Sequence, residues 1–310
     1  MKAKYINPFT DFGFKKIFGE EASKPLLMDF LNSLLPPEDI IAELTFNNTE
    51  QLPSTDADRR AIYDIYCQNE RGEKFIVELQ KAKQNFFKER TIYYSTFPIS
   101  QQAEKGNWNY DLKAVYCIGI LDFQFDDYQA DENNSDVLHV VKLKNQHGEV
   151  FYDKLTYIYL EMPNFKKNED ELSSRLDQWL YFINNLEDLQ QIPQIFADSV
   201  FITAFQKAEL AALSTTEIHR YEGSLKIYRD LKGVVDTAFD EGMEKGEQIG
   251  LEKGERIGLE KGEQIGLEKG KIEEKLEVAH NAIKAGLPND IIHALTGLSV
   301  GSINELRCNL

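Results

Sequence analysis

Two acidic residues, Asp64 and Glu78, interrupt a pair of apolar segments in the stretch AIYDIYCQNERGEKFIVELQK, residues 61–81. Each segment has the two-residue period of a β-strand, and the polar sequence NERG between them is typical of a short hairpin turn. A turn centred near Arg71 sets Asp64 opposite Glu78 in the antiparallel pair, and Gln80 lies two residues further on the same face. The pattern therefore predicts a polar patch of Asp64, Glu78 and Gln80 on a mostly buried sheet.

Carboxylates that face each other across two strands lie about 5 Å apart and repel each other unless a cation or a proton lies between them. A divalent metal is the simplest answer, and hard carboxylate oxygens suit Mg²⁺, with Mn²⁺ as the alternative. Asp64 and Glu78 are therefore the candidate metal ligands, and Gln80 completes the candidate catalytic set. The same register pairs Ile62 with Gln80.

The segments around this hairpin alternate between helical and strand patterns, which indicates an α/β fold with a mixed sheet flanked by helices. The predicted elements are a helix from about Ser23, as N-cap, to Leu35, a strand through IIAELTF, the hairpin, a helix over about 85–105 that Pro98 should kink, and strands through LKAVYCIGILDF, VLHVVKL and LTYIYLEM. Residues 170–240 are predicted to be largely helical.

This order of elements, with an aspartate and an E-x-Q motif on a hairpin, resembles the PD-(D/E)XK nuclease superfamily, and within it the Rpn group of recombination-promoting nucleases and transposases. The resemblance covers roughly residues 5–240 and is carried by the segments NPFTDFGFKKIFG, YDIYC, FIVELQK, RTIYYS, KGNWNYDLKAVYCIGILDF, YLEMPNFKK and LDQWLYFINN. It implies a restriction-endonuclease-like core and Mg²⁺-dependent cleavage of DNA phosphodiester bonds. It also implies that Asp64 and Glu78 bind the metal and that Gln80 occupies the usual lysine position.

Gln80 departs from the simplest pattern of that superfamily, because a neutral amide orients water by hydrogen bonds but cannot supply a lysine's charge. Lys81 follows directly and points to the opposite face of a regular strand, whereas Lys83 returns to the site if the strand ends near residue 81. The resemblance also makes Asp11 and Gln101 candidates to complete the site. For Asp11 we favour a simpler role as a helix N-cap.

The formal net charge of −17 argues against a general nucleic-acid binder, since backbone binding depends on lysine and arginine. Basic residues nevertheless follow the second strand, interleaved with aromatic ones: Lys81, Lys83, Lys88 and Arg90. The favoured interpretation of this cluster is the solvated face of an amphipathic helix. Three widely spaced cysteines, and no apolar run approaching the roughly 18 residues of a membrane helix, predict a cytoplasmic protein.

The chain is predicted to have four parts. These are a nuclease-like core over residues 1–165, a helical region packed on it over 166–240, an octad repeat over 241–270 and a helix-turn-helix-like tail over 271–310.

Within the repeat, glycine returns every fourth residue from Gly242 to Gly270, in octads such as GERIGLEK. Each glycine inside a helix costs about 1 kcal/mol relative to alanine, although the other repeat residues favour helix. We favour a mobile or marginal helix used as a spacer, with a small-residue helix contact between chains as the alternative. The second helix of the tail offers only Arg307 as a basic side chain, so a protein-contact module is as well supported as DNA reading. We expect a homo-oligomer assembled through the repeat and the tail.

Two classes of function follow. The first is a metal-dependent DNA endonuclease associated with recombination or mobile elements. The second is a catalytically idle scaffold that keeps the fold and assembles through its C-terminal repeat. The presence of both Asp64 and Glu78 on a matching face favours the enzyme, because an idle scaffold is free to lose those acids.

Overall fold

Strands and helices alternate along the first half of the chain in the computed structural model, which describes residues 3–51, 61–103, 106, 108–125 and 136–309. The strands are β1 Leu44–Phe46, β2 Glu50–Gln51, β3 Ala61–Ile62, β4 Ile65–Asn69, β5 Lys74–Gln80, β6 Val115–Leu121, β7 Leu138–Lys144 and β8 Val150–Glu161. The α-helices are α1 Asp11–Phe18, α2 Lys24–Asn32, α3 Phe87–Ser100, α4 Arg175–Asn185, α5 Ser199–Ala208, α6 Thr215–Lys284, α7 Asn289–Thr296 and α8 Val300–Cys308.

Six of these strands form one mixed sheet in the order β1-β4-β5-β6-β8-β7, and β2 pairs separately with β3. Strands β5, β6 and β8 run parallel, whereas β1, β4 and β7 are antiparallel to their neighbours. Every residue of β6 is buried, which explains its continuous apolar sequence, since a central parallel strand is covered on both faces. The predicted α/β class, a mixed sheet flanked by helices, is confirmed.

Helices cover both faces of the sheet. On one face Phe87 of α3 packs in a cluster with Ile76 and Cys117. On the other face the apolar side chains of α1, α2, α4 and α5 form the larger core against Phe75 and Val77. Because successive residues of β5 point to opposite faces, this one strand contributes to both cores and is held from both sides.

Two predicted helices are shorter than expected. The helix predicted to end at Leu35 ends at Asn32, and Ser23 precedes it without capping, since its hydroxyl donates to the Lys16 carbonyl at 3.2 Å. Helix α3 runs from Phe87 to Ser100 with Pro98 inside its last turn, while residues 104 and 105 of the predicted helix lie outside the described residues.

The chain divides into two compact units, residues 1–235 and 236–310. Helix α6 includes the octad repeat, so the repeat is helical, while its role as spacer or contact stays a prediction. In the second unit the end of α6 packs with α7 and α8 around Ile292 and Ile303, and the Ser299 side chain caps α8. The four-part division made from the sequence also stays a prediction. Among the described residues no helix is both long and apolar enough to cross a membrane.

Gly13, in the first turn of α1, fits where no larger residue does. A Cβ atom there would lie 2.1 Å from the Asn7 carbonyl oxygen and 2.7 Å from the Thr10 hydroxyl oxygen. That hydroxyl accepts a hydrogen bond from the Gly13 N–H at 2.9 Å, so the turn preceding α1 is closed tightly against the helix.

We therefore expect Gly13→Ala to lower the free energy of unfolding by about 3 kcal/mol, because the backbone of Asn7 must move. Urea unfolding measures the change. Gly223→Ala is the matched control: no atom lies within 4 Å of its added methyl group, and alanine should stabilise that helix by up to about 1 kcal/mol. Equal stability of the Gly13→Ala protein and the parent would contradict this account of the turn.

Candidate active site

The strand that carries Asp64 separates from its neighbour at that residue. Strand β4 pairs with β5 in antiparallel register, with Ile65 opposite Val77. Continuing the register by one residue sets Asp64 opposite Glu78, as the hairpin pattern predicts. Ordered pairing ends there, however, and Asp64 occupies a bend between β3 and β4.

On the N-terminal side of the bend, the chain pairs with a different strand, β2. Ile62 pairs with Glu50 of β2, and the Tyr63 N–H donates to the Thr49 carbonyl at 3.0 Å. The predicted pairing of Ile62 with Gln80 is therefore wrong. The physical reason is that β2, which precedes this strand in the chain, provides the backbone partners that the second half of the hairpin would otherwise supply.

The separating strands leave one backbone donor that the Asp64 side chain satisfies. In the β4–β5 register the Leu79 N–H would face Tyr63, but it donates instead to the Asp64 carboxylate at 2.8 Å. The Asp64 N–H in turn lies 3.3 Å from a carboxylate oxygen of Glu78. The two acids that the sequence pattern paired are therefore held side by side where the strands separate.

Asp64 lines an open cleft of about 820 Å³ on the α1 side of the strands. Asp11, Lys15 and Lys81 line the same cleft. Lys15 forms an ion pair with Asp11 at 2.7 Å and lies 3.9 Å from Asp64. This cleft gives a ligand access to Asp64 from solvent.

Glu78 points to the other side, beneath α3, where it borders a small cavity with Arg90, Tyr94 and Cys117. The prediction that Asp64 shares one face with Glu78 is therefore wrong, because Asp64 lies in the bend that follows the end of the β4–β5 pairing. Burial, together with the neighbouring charge of Asp64, raises the pKa of Glu78 to about 8. Burial also raises the pKa of Asp64, although the Leu79 N–H and the Lys15 ammonium partly offset that rise. Without a cation, the pair therefore retains a proton near neutral pH.

Gln80 is buried and its amide is engaged at both ends. The amide oxygen accepts a hydrogen bond from the Arg90 guanidinium, and the amide nitrogen donates to the Ala82 carbonyl at 3.0 Å. Arg90 also donates to the side-chain oxygen of Gln84. The sequence-based interpretation of Arg90 as part of a solvated helix face missed this contact, although the spacing of Phe87, Arg90 and Tyr94 on one side of a helix is a usable signal.

The remaining sequence candidates have different outcomes. The predicted N-cap role of Asp11 is wrong, because Thr10 caps α1 and Asp11 lies in the first turn, facing the cleft. Gln101 is the C-cap residue of α3 and lines a separate depression in the surface. Strand β5 ends at Gln80, so that Lys81 is half-buried in the cleft with Asp64, while Lys83 is exposed.

The donor set suits a hard divalent cation. Two neighbouring carboxylates with raised pKa values are relieved by a positive charge, and Mg²⁺ characteristically takes one or two carboxylates plus waters and substrate phosphate oxygens. Among the described residues no group of three or more His, Cys, Asp or Glu side chains is placed to hold a metal ion.

The family model described as PD-(D/E)XK nuclease family transposase matches residues 8–238, well over half of the chain. The matched range includes α1, both strands of the site and α3. No curated protein and no solved structure matches this sequence. The family predicted from the motifs is thereby confirmed.

The raised pKa of Glu78 predicts a pH dependence of stability in the absence of divalent cations. The unfolded chain releases this proton near the usual value of 4.5, whereas the folded protein holds it to about pH 8. The free energy of unfolding contributed by Glu78 is therefore fully present below pH 4.5 and decreases as pH rises towards 8. We expect Glu78→Gln to remove at least about 1 kcal/mol of that decrease.

Urea unfolding in EDTA at pH 5, 6.5 and 8 measures this dependence. Glu89→Gln, at an exposed position on α3, is the matched control and should follow the parent. The same pH profile for the Glu78→Gln protein and the parent would contradict the raised pKa.

Proposed function

This chain belongs to the PD-(D/E)XK nuclease family transposases, and on that premise we propose that it is a metal-dependent endonuclease that hydrolyses DNA phosphodiester bonds. The observation that carries the proposal is the carboxylate pair of Asp64 and Glu78 at the point where β4 and β5 separate, beside an open cleft. An acid pair of this kind is unfavourable for stability alone, which supports a binding role.

In the proposed site Asp64 and Glu78 hold Mg²⁺, or Mn²⁺ in its place. When bound, such a cation polarises a phosphodiester oxygen and offsets the negative charge that develops in the transition state. The Leu79 N–H fixes the orientation of the Asp64 carboxylate at 2.8 Å, so that the ligand needs little rearrangement. Gln80 is the third proposed catalytic residue and occupies the position two residues after Glu78.

The cleft also supports DNA as the substrate. In a chain with a formal net charge of −17, phosphate groups need local positive charge to approach. Lys15, Lys81 and Arg220 line this cleft together with Asp64. We propose that the DNA backbone enters along these residues, and that the reaction serves recombination or a mobile element, as the transposase family suggests.

Substitution of the acid pair tests this proposal. Asp64→Ala and Glu78→Ala should each lower the rate of plasmid cleavage at least about a hundred-fold, because a lost metal ligand removes several kcal/mol of transition-state stabilisation. DNA binding should change little, since neither acid neutralises phosphate. The parent should gain thermal stability on addition of Mg²⁺, whereas the Asp64→Ala and Glu78→Ala proteins should not.

Gln80→Ala should reduce the rate while leaving the Mg²⁺-dependent gain in stability intact. Undiminished plasmid nicking by highly purified Asp64→Ala protein would exclude this site and favour the idle scaffold instead.

We also propose that copies of the chain associate through residues 241–310. The isoleucine and leucine side chains of the octads are largely exposed on α6, at Ile249, Leu251, Ile257, Leu259, Ile265 and Leu267. The basic side chain of the second tail helix, Arg307, is engaged within the tail, because it donates to the Leu287 carbonyl at 2.7 Å and to the Asn289 side chain at 3.1 Å. That use favours a protein contact over DNA reading by the tail.

Truncation after Asp240 tests this assembly. We expect a folded protein with fewer chains per particle, because the larger core lies within residues 1–235 and the exposed octad side chains are removed. Light scattering coupled to size exclusion measures the mass, and far-UV circular dichroism checks folding. An unchanged number of chains per particle would show that the repeat and tail do not hold copies together.

A further inference from the structure

Arg90 differs in the groups it contacts from the arginines that form ion pairs in the described part of this acidic chain. Arg71, Arg175 and Arg229 each form an ion pair with at least one carboxylate. In the described part of the chain, the side-chain hydrogen bonds of Arg90 go to the neutral amide oxygens of Gln80 and Gln84. Its positive charge is therefore held in place without being neutralised by a bonded partner.

The position of this charge is well defined. The guanidinium carbon lies 5.6 Å from the ring centre of Phe87 and 5.7 Å from that of Tyr94, its neighbours three residues before and four after on α3. Arg90 also borders the small cavity that contains Glu78. Two amides and two aromatic rings thus orient a half-buried guanidinium beside the acid pair.

Such an arrangement suits an anion. A guanidinium presents a planar set of N–H donors that matches phosphate oxygens, and amide partners occupy some of these donors without removing the charge. Gln80, at the family's lysine position, is neutral, so that the strand itself brings no cation to this face of the site. The positive charge at this face is that of Arg90, which lies on α3.

We propose that Arg90 supplies the positive charge that a lysine at position 80 would otherwise provide, and that it binds a DNA phosphate oxygen next to the acid pair. Gln80 is then a positioning residue whose amide oxygen holds the guanidinium. This inference rests on the proposed nuclease function and adds a charge carrier from a different element of the fold.

Moving the charge between the two positions tests the proposal. Arg90→Gln should lower the cleavage rate at saturating DNA about a hundred-fold, and Gln80→Lys combined with Arg90→Gln should restore it to within about ten-fold of the parent. Lys88→Gln, at an exposed position on the same helix, is the control and should cleave at the parent rate. Arg90→Lys keeps the charge without the planar fork and should fall between the parent and Arg90→Gln.

DNA binding in EDTA provides a readout that does not depend on catalysis. The dependence of log affinity on log salt concentration should lose about one unit of slope in Arg90→Gln and recover it in the double variant, because one phosphate contact is lost and then replaced. A purely structural role of Arg90 predicts no change of slope and no recovery. Circular dichroism and urea unfolding identify variants that fold like the parent.

The outcomes separate this inference from the proposed function. If folded Arg90→Gln protein cleaves and binds DNA like the parent while Asp64→Ala protein is inactive, the role of Arg90 is overturned and the nuclease function stands. If the double variant folds but recovers neither rate nor salt slope, charge is not what Arg90 contributes. If Asp64→Ala protein cleaves like the parent, the proposed active site fails, and the inference fails with it.

Discussion

The hydrogen bond from the Leu79 N–H to the Asp64 carboxylate is the contact on which the candidate site depends. A strand that leaves its partner exposes backbone donors that need new acceptors, and a buried donor without one is costly. Here the acceptor is an acidic side chain at the point of separation. One interaction therefore ends the strand pairing and fixes the carboxylate beside Glu78.

The layered core keeps this point of separation in place. Strand β5 carries Glu78 and Gln80 and contributes side chains to the apolar clusters on both faces of the sheet. Because the strand is held from both sides, Glu78 cannot easily turn outwards to solvent, which explains why burial dominates its pKa shift. The free-energy cost of desolvating two carboxylates is thus offset by the apolar packing on both faces of the sheet.

Charge is distributed unevenly over this acidic chain. Some of its ion pairs connect elements of the core, as where Arg175 joins Asp29 of α2 to Asp198 before α5. Around the acid pair the partners differ: Lys15 is shared between Asp11 and Asp64, and the side-chain hydrogen bonds of Arg90 in the described residues go to the amides of Gln80 and Gln84. A site with partly uncompensated cations is suited to a polyanion even when the whole protein repels one.

Sequence alone determined what local periodicity controls. The turn near Arg71 set the register of the hairpin, so the adjacency of Asp64 and Glu78 was predictable, whereas the period of two did not predict that the two side chains point to opposite sides. The fold class and the family followed from the order of elements. Tertiary structure decided the rest. The Tyr63 N–H donates to Thr49, beside β2, instead of pairing with β5. Thr10 rather than Asp11 caps α1, and α3 places Arg90 within hydrogen-bond distance of Gln80. These outcomes depend on which of several available groups wins a given hydrogen bond once the chain is folded, and the period of the apolar residues does not contain that information.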